Sequence, residues 1–185
     1  MIFFLACASP SIEPLTDSAS EGFTFSDLSE NDYTVANLNP ARYLGLWYEI
    51  ATIPSGFQAR CTGTTANYTL LEPGVVGVEN RCFIDSLDGS LSVINGTAEP
   101  EDDDYAHLKV NFGGSFSADY YVVELDGSQN ENPYDWAAVS TFSDRVLWIL
   151  SRTPSMASEE YDLIVDKLAQ RDLPVDKLVE TEHQD

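Results

Sequence analysis

The sequence predicts a mostly β domain, either an up-and-down barrel or a sandwich, with one helix after the strands. Three observations carry that reading. Eight short runs of alternating or β-branched residues recur at even spacing between residues 47 and 151, with turn residues between them. One later stretch, residues 158–172, repeats its apolar positions at helical spacing instead. The composition is 43% hydrophobic, with nine Tyr, nine Phe and three Trp in 185 residues, which suffices for a single core.

The first run is Trp47-Tyr48-Glu49-Ile50-Ala51. Residues 65–70 and 75–78 form a hairpin across Leu71-Glu72-Pro73-Gly74, which has turn chemistry. Pairing outward from that turn brings Cys61 opposite a residue between 82 and 84, within one bulge of Cys82. A cross-strand disulfide is then geometrically allowed and implies an oxidising compartment; the alternative is two buried free thiols. Residues 91–98 follow, then the acidic loop 99–104. Ala106-His107-Leu108-Lys109-Val110-Asn111-Phe112 alternates strictly and is broken by Gly113-Gly114. Residues 120–125, 136–140 and 146–151 complete the eight. In the helix, Tyr161, Ile164, Val165 and Leu168 share a face, Ser155 or Ser158 can cap the start, and Glu159 and Glu160 suit its positive end. Leu173-Pro174 ends it, and the apolar stripe packs on the outside of the β structure.

The ends of the chain read differently. Residues 1–7 are apolar and stop at Cys7; Leu5-Ala6-Cys7 is similar to the end of a bacterial lipoprotein signal, in which the cysteine is lipidated. Only six residues precede Cys7, fewer than a signal needs, so either the start lies upstream or the likeness is accidental. Residues 8–36 contain no Lys or Arg and are rich in Ser, Asp, Glu and Pro, the composition of a solvated linker. Phe23, Phe25 and Tyr33 are the residues there that could instead dock on the domain. The domain proper is expected over residues 37–180, with an acidic tail at 181–185.

Charge narrows the partners. Nine Lys and Arg stand against 31 Asp and Glu, a net charge of −22. A phosphate backbone needs a basic surface, so nucleic acid is excluded as a partner. An anionic membrane surface is repelled for the same reason. No apolar run reaches the ~18 residues of a spanning helix.

Two segments resemble a known family. Residues 37–50, with Gly45-Leu46-Trp47-Tyr48 at their centre, resemble the opening signature of the lipocalins. Leu147-Trp148-Ile149-Leu150-Ser151-Arg152-Thr153-Pro154 resembles the closing signature of the branch that holds the bacterial lipocalins and apolipoprotein D. Asp119-Tyr120-Tyr121 matches the middle signature loosely. The resemblance spans residues 37–180 and implies an eight-stranded antiparallel barrel, open at one end, that carries a small hydrophobic ligand. It implies that Gly45, Trp47 and Arg152 close the barrel floor, with the guanidinium laid across the indole. It also implies an outer-membrane lipoprotein facing the periplasm, anchored through Cys7, with a secreted form as the alternative and a homodimer open to the family.

Resemblance and strand parity together propose the ligand wall: Ala66, Tyr68, Val78, Ile94, Leu108, Val110, Phe112, Tyr120, Val122, Trp148 and Leu150. Phe57, in the place of the family's mouth loop, is added as a gate. Apolar walls with two Tyr hydroxyls suit a fatty acid, a lysophospholipid or an isoprenoid, stored or transported in membrane maintenance at the cell envelope. No cofactor is expected.

Other chemistries are weak. His107 and His183 are too few for a histidine-rich metal site, and no phosphate loop, CxxC pair or HExxH is present. Residues 101–104 lack the spaced ligands of a calcium loop and read as a solvated tip. Asn67 and Asn95 each begin an N-x-T triplet within a strand, where a chance match outweighs glycosylation. An enzyme acting on a lipid or carotenoid is the alternative to a carrier. Its only visible titratable pair is Tyr120 with Glu124, and an interior carboxylate is costly unless paired.

Overall fold

The computed structural model describes residues 33–114, 117–128, 130–141 and 146–184; Cys7, Phe23, Phe25 and the side chain of Phe57 lie outside the described residues. A single turn of helix, α1 (Pro40–Tyr43), leads into strand β1 (Gly45–Thr52). Asn39 caps α1 by accepting from the Ala41 amide at 3.0 Å, and Pro40 takes the first helical position, where its missing N–H costs nothing. Then come β2 (Cys61–Glu72), β3 (Val75–Ile84), β4 (Leu91–Pro100), β5 (His107–Asn111), β6 (Ser117–Leu125), β7 (Trp136–Ser140) and β8 (Leu147–Ser151).

Each strand pairs antiparallel with the next, and β1 pairs with both β8 and β2, so the sheet closes into an eight-stranded barrel. Of the two architectures the strand pattern allows, the barrel is the one formed, because it leaves no edge unpaired. The loops alternate between two ends. Residues 73–74, 101–106 and 126–135 lie at one end with Arg152; residues 53–60, 85–90 and the β5–β6 connection lie at the other. Cys61 pairs with Ile84, and a disulfide joins Cys61 to Cys82 with Cα atoms 5.4 Å apart.

Side-chain alternation sorts the apolar residues into two clusters. One fills the barrel and includes Trp47, Tyr68, Val78, Val110, Val122 and Leu150. The other lies outside and is covered by helix α2 (Ser158–Ala169), whose Ile164 and Leu168 are fully buried against residues such as Ile50, Tyr121 and Ile149. The cap of α2 departs from expectation. Its N-cap is Ala157, with no side-chain bond to the helix, and Ser158 is already inside the first turn. The helix therefore relies on packing, with Glu159 and Glu160 at its positive end.

Both ends of the domain extend further than the sequence predicts. Tyr33, in the stretch of linker composition and one of the residues there able to dock, is 3% exposed and packs edge-on against Tyr121 with ring centres 5.1 Å apart. The predicted tail is also built in. A short strand, β9 (Val179–Glu180), pairs with Ala51 and Thr52 of β1. Beyond it, the Thr181 amide donates to the Ile50 carbonyl and the Gly63 amide donates to the Glu182 carbonyl, both at 2.9 Å. The C-terminal residues thus bridge β1 and β2 near the 53–60 end, where those two strands no longer pair with each other. His183 stands edge-on to Tyr48 and bonds the Glu49 carbonyl oxygen at 2.7 Å.

This wedge partners a buried carboxylate. Glu49 lies opposite Leu150 and faces inward, only 4% exposed, and accepts from the Thr181 hydroxyl at 2.7 Å. Burial pushes its carboxyl above the ordinary range, beyond what that hydroxyl offsets. A carboxyl whose pKa is raised by folding contributes stability that is full below the unfolded-chain value. That contribution is lost as pH rises through the folded value. Glu49→Gln removes the ionisation and keeps the acceptor, so the variant will melt above wild type at neutral pH and converge with it near pH 4, about the unperturbed carboxyl value. Thermal melts in high salt, where the overall negative charge is screened, isolate the effect. Equal melting temperatures across the range would show that folding does not raise the Glu49 pKa.

Candidate ligand-binding site

The 101–106 end is sealed from the residues upward. The amides of Asn37 and Leu38 donate to Asp104, and the Asn39 amide donates to the Tyr134 hydroxyl at 3.0 Å, so the N-terminal segment is tied across this end. Trp47 is fully buried, its indole N–H donating to the Tyr43 carbonyl at 2.8 Å. The Arg152 guanidinium lies 3.7 Å from the Trp47 ring centre and donates to three backbone carbonyls, those of Tyr134, Leu46 and Arg42. Gly45, beside the guanidinium, has φ +98°, a left-handed conformation that favours glycine and strains any other residue.

Above this floor three tyrosines from separate elements meet: Tyr43 of α1, Tyr68 of β2 and Tyr120 of β6. The Tyr120 hydroxyl bonds those of Tyr43 at 2.8 Å and Tyr68 at 3.0 Å. Burial raises all three well above the usual phenol value, Tyr68 to about 12, so they stay protonated. They line an apolar cavity of about 80 Å³ whose other walls include Leu38, Leu44, Val76 and Ala98.

The residues proposed from parity fall into groups. Tyr68, Leu108, Val110 and Tyr120 line this cavity. Ala66, Val78, Phe112, Val122, Trp148 and Leu150 belong to the barrel interior without lining it. Ile94 departs from expectation. It has inward parity, paired with Asn80, yet is 42% exposed. The cause is the short β5, which pairs with β4 only from Thr97 to Pro100, so Ile94 stands on a stretch of β4 that β5 does not cover.

Glu124 is also corrected. A bulge between Val122 and Glu124 reverses the alternation of β6, leaving Val122 inside and turning Glu124 outward. There its oxygens lie 3.4 Å from Lys167 and 3.7 Å from Arg171, cations at the end of α2 and just beyond it. Tyr120 and Glu124 therefore occupy opposite faces and form no acid–base pair. His107 is buried on the outer face, stacked on Tyr121 at 4.3 Å and 3.1 Å from Asp119. Asp102 accepts from the amides of Ala106 and His107, which makes it a loop brace. Sequence reasoning missed Tyr43 as a site residue. Its only signal was a tyrosine four positions before the floor tryptophan.

The lipocalin-like domain of the protein families matches residues 38–183. The chain belongs to the lipocalins. This lipocalin is 38% identical over 152 residues to a lipocalin of Acanthamoeba polyphaga mimivirus, covering 78% of this chain and 84% of that one. It is 29% identical over 163 residues to the outer membrane lipoprotein Blc of Vibrio cholerae, covering 85% and 90%. It is also 32% identical over 152 residues to apolipoprotein D of Macaca fascicularis, covering 80% and 78%. The lipocalin thus lies in the branch of the bacterial lipocalins and apolipoprotein D, within a family that binds small hydrophobic ligands.

Proposed function

We propose that this lipocalin binds one small hydrophobic molecule in its barrel, of fatty-acid, lysophospholipid or isoprenoid class, and stores or transports it. The observation that carries the reading is the apolar cavity within the barrel, walled by residues such as Leu38, Leu44, Val76, Ala98 and Val110 and by tyrosine rings. Each CH₂ moved from water into such a wall contributes about 0.8 kcal/mol, so affinity grows with chain length and needs few polar contacts. The likeness to Blc, an outer membrane lipoprotein, supports a place at the cell envelope with Cys7 as the lipid anchor; secretion is the alternative.

Native mass spectrometry with lipid extraction, on full-length protein from its own cells, tests this. The expected spectrum shows about one apolar ligand per chain, a diacylglycerol mass on Cys7, and chains alone or paired. Protein that emerges empty and binds no fluorescent fatty acid would overturn the carrier reading.

A further inference from the structure

Strand β4 leaves half of one edge open. Its register with β3 runs unbroken from Val76↔Ala98 to Phe83↔Leu91, but β5 joins it only from Thr97 onward. Among the described residues nothing pairs with Leu91–Asn95 on that second edge, and all five are exposed. Alternation puts Leu91 and Val93 on the outer face and Ile94 on the inner one; they are 55%, 43% and 42% exposed. Open backbone N–H and C=O groups beside apolar side chains form a template for another strand.

The usual protections of such an edge are missing. Residues 89–98 contain no charged residue and no proline, and the register with β3 carries no bulge. The nearest charges on β3 are already matched, with Arg81 Nε 2.7 Å from Glu79. The stretch is therefore neutral on a chain whose net charge is −22. Charge and symmetry select its occupant. Two copies repel wherever their acidic surfaces meet, so close contact between them is confined to a neutral strip such as this one. Two identical antiparallel strands are also self-complementary about a two-fold axis. With Val93 on that axis, Leu91 of each copy faces Asn95 of the other.

We propose that two copies of this lipocalin pair through the 91–95 edges of β4, antiparallel and centred on Val93, so that their 53–60 ends face one another. The joined sheet keeps a single inner face, on which Ile94 of both copies forms an apolar strip between the two barrels. Five residues a side make a small contact, of the transient class under about 1,200 Å², for which a Kd of about 10–100 µM is expected. The pairing does not depend on which ligand the barrel holds.

Sedimentation equilibrium of the full chain across that concentration range tests it. A monomer–dimer equilibrium is expected, and it tightens as salt screens the negative charge. Val93→Lys sets two ammonium groups against each other on the axis and is expected to weaken the dimer about tenfold or more. Leu163→Lys adds the same charge at an exposed position on α2 and is expected not to weaken it. Cross-linking in the full-length Cys7→Ser protein reads the register. Val93→Cys, opposite itself, is expected to form a disulfide between copies, whereas Leu91→Cys, two positions from the axis, is not. A chain that stays monomeric in high salt overturns the proposal, as does a dimer that Val93→Lys leaves intact or one that cross-links at 91 and not at 93. In a monomer, slow hydrogen exchange at the 91–95 amides would assign the edge to another part of the same chain. Slow exchange only with phosphatidylcholine vesicles would assign it to lipid. None of these outcomes touches the ligand-binding reading, which co-purified ligand tests separately.

Discussion

Trp47→Ala will destabilise the barrel by about 3–5 kcal/mol, the cost of emptying a large aromatic site in a packed core. The indole is fully buried, donates to the Tyr43 carbonyl at 2.8 Å and carries the Arg152 guanidinium 3.7 Å above its ring. Removing it opens a cavity and strips the guanidinium of a contact that contributes about 0.5–2 kcal/mol. It also loosens α1, since the Tyr43 ring lies 5.0 Å from that of Trp47. Urea denaturation should show the midpoint falling with an unchanged slope. Trp47→Phe, which keeps a ring but not the N–H, should lose clearly less. A loss under about 1 kcal/mol for the alanine variant would mean the floor is not part of the cooperative core.

Removing the disulfide comes next. Cys61 and Cys82 are 21 residues apart in sequence, and joining them restricts the unfolded chain. For a loop of this order the chain-entropy account gives about 3 kcal/mol. Cys61→Ala/Cys82→Ala should therefore lose about 2–4 kcal/mol of unfolding free energy, read as a lower urea midpoint. Reductant should bring the wild type down to the variant and leave the variant unchanged. Insensitivity of the wild type to reductant, with the bond shown by mass to be broken, would contradict a stabilising role.

The tyrosine cluster and the buried Glu49 illustrate why a site can be harder to read than a fold. Tyr68 and Tyr120 were legible because both lie on strands whose alternation points them inward. Tyr43 was not, because it reaches the cluster from a single helical turn that carries no periodicity. Glu49 followed parity inward without a partner in sight, since its hydrogen-bond donor, Thr181, is 132 residues away.

By itself the sequence determined the eight strands, the outer helix, the hairpin that brings Cys61 near Cys82, and the two end signatures of the lipocalins. These are local or periodic properties: alternation, turn chemistry and a few spaced side chains. Tertiary structure alone decided three things. A bulge in β6 sent Glu124 outward, and a short β5 left Ile94 uncovered. The C-terminal residues filled the gap between β1 and β2 instead of trailing into solvent. The cavity formed beneath Tyr43, Tyr68 and Tyr120, at the end opposite the loop expected to gate a mouth. Each depends on one misaligned residue or on a meeting of distant segments, and neither leaves a repeating trace in the chain, because a bulge shifts register by one position and long-range contacts have no period at all.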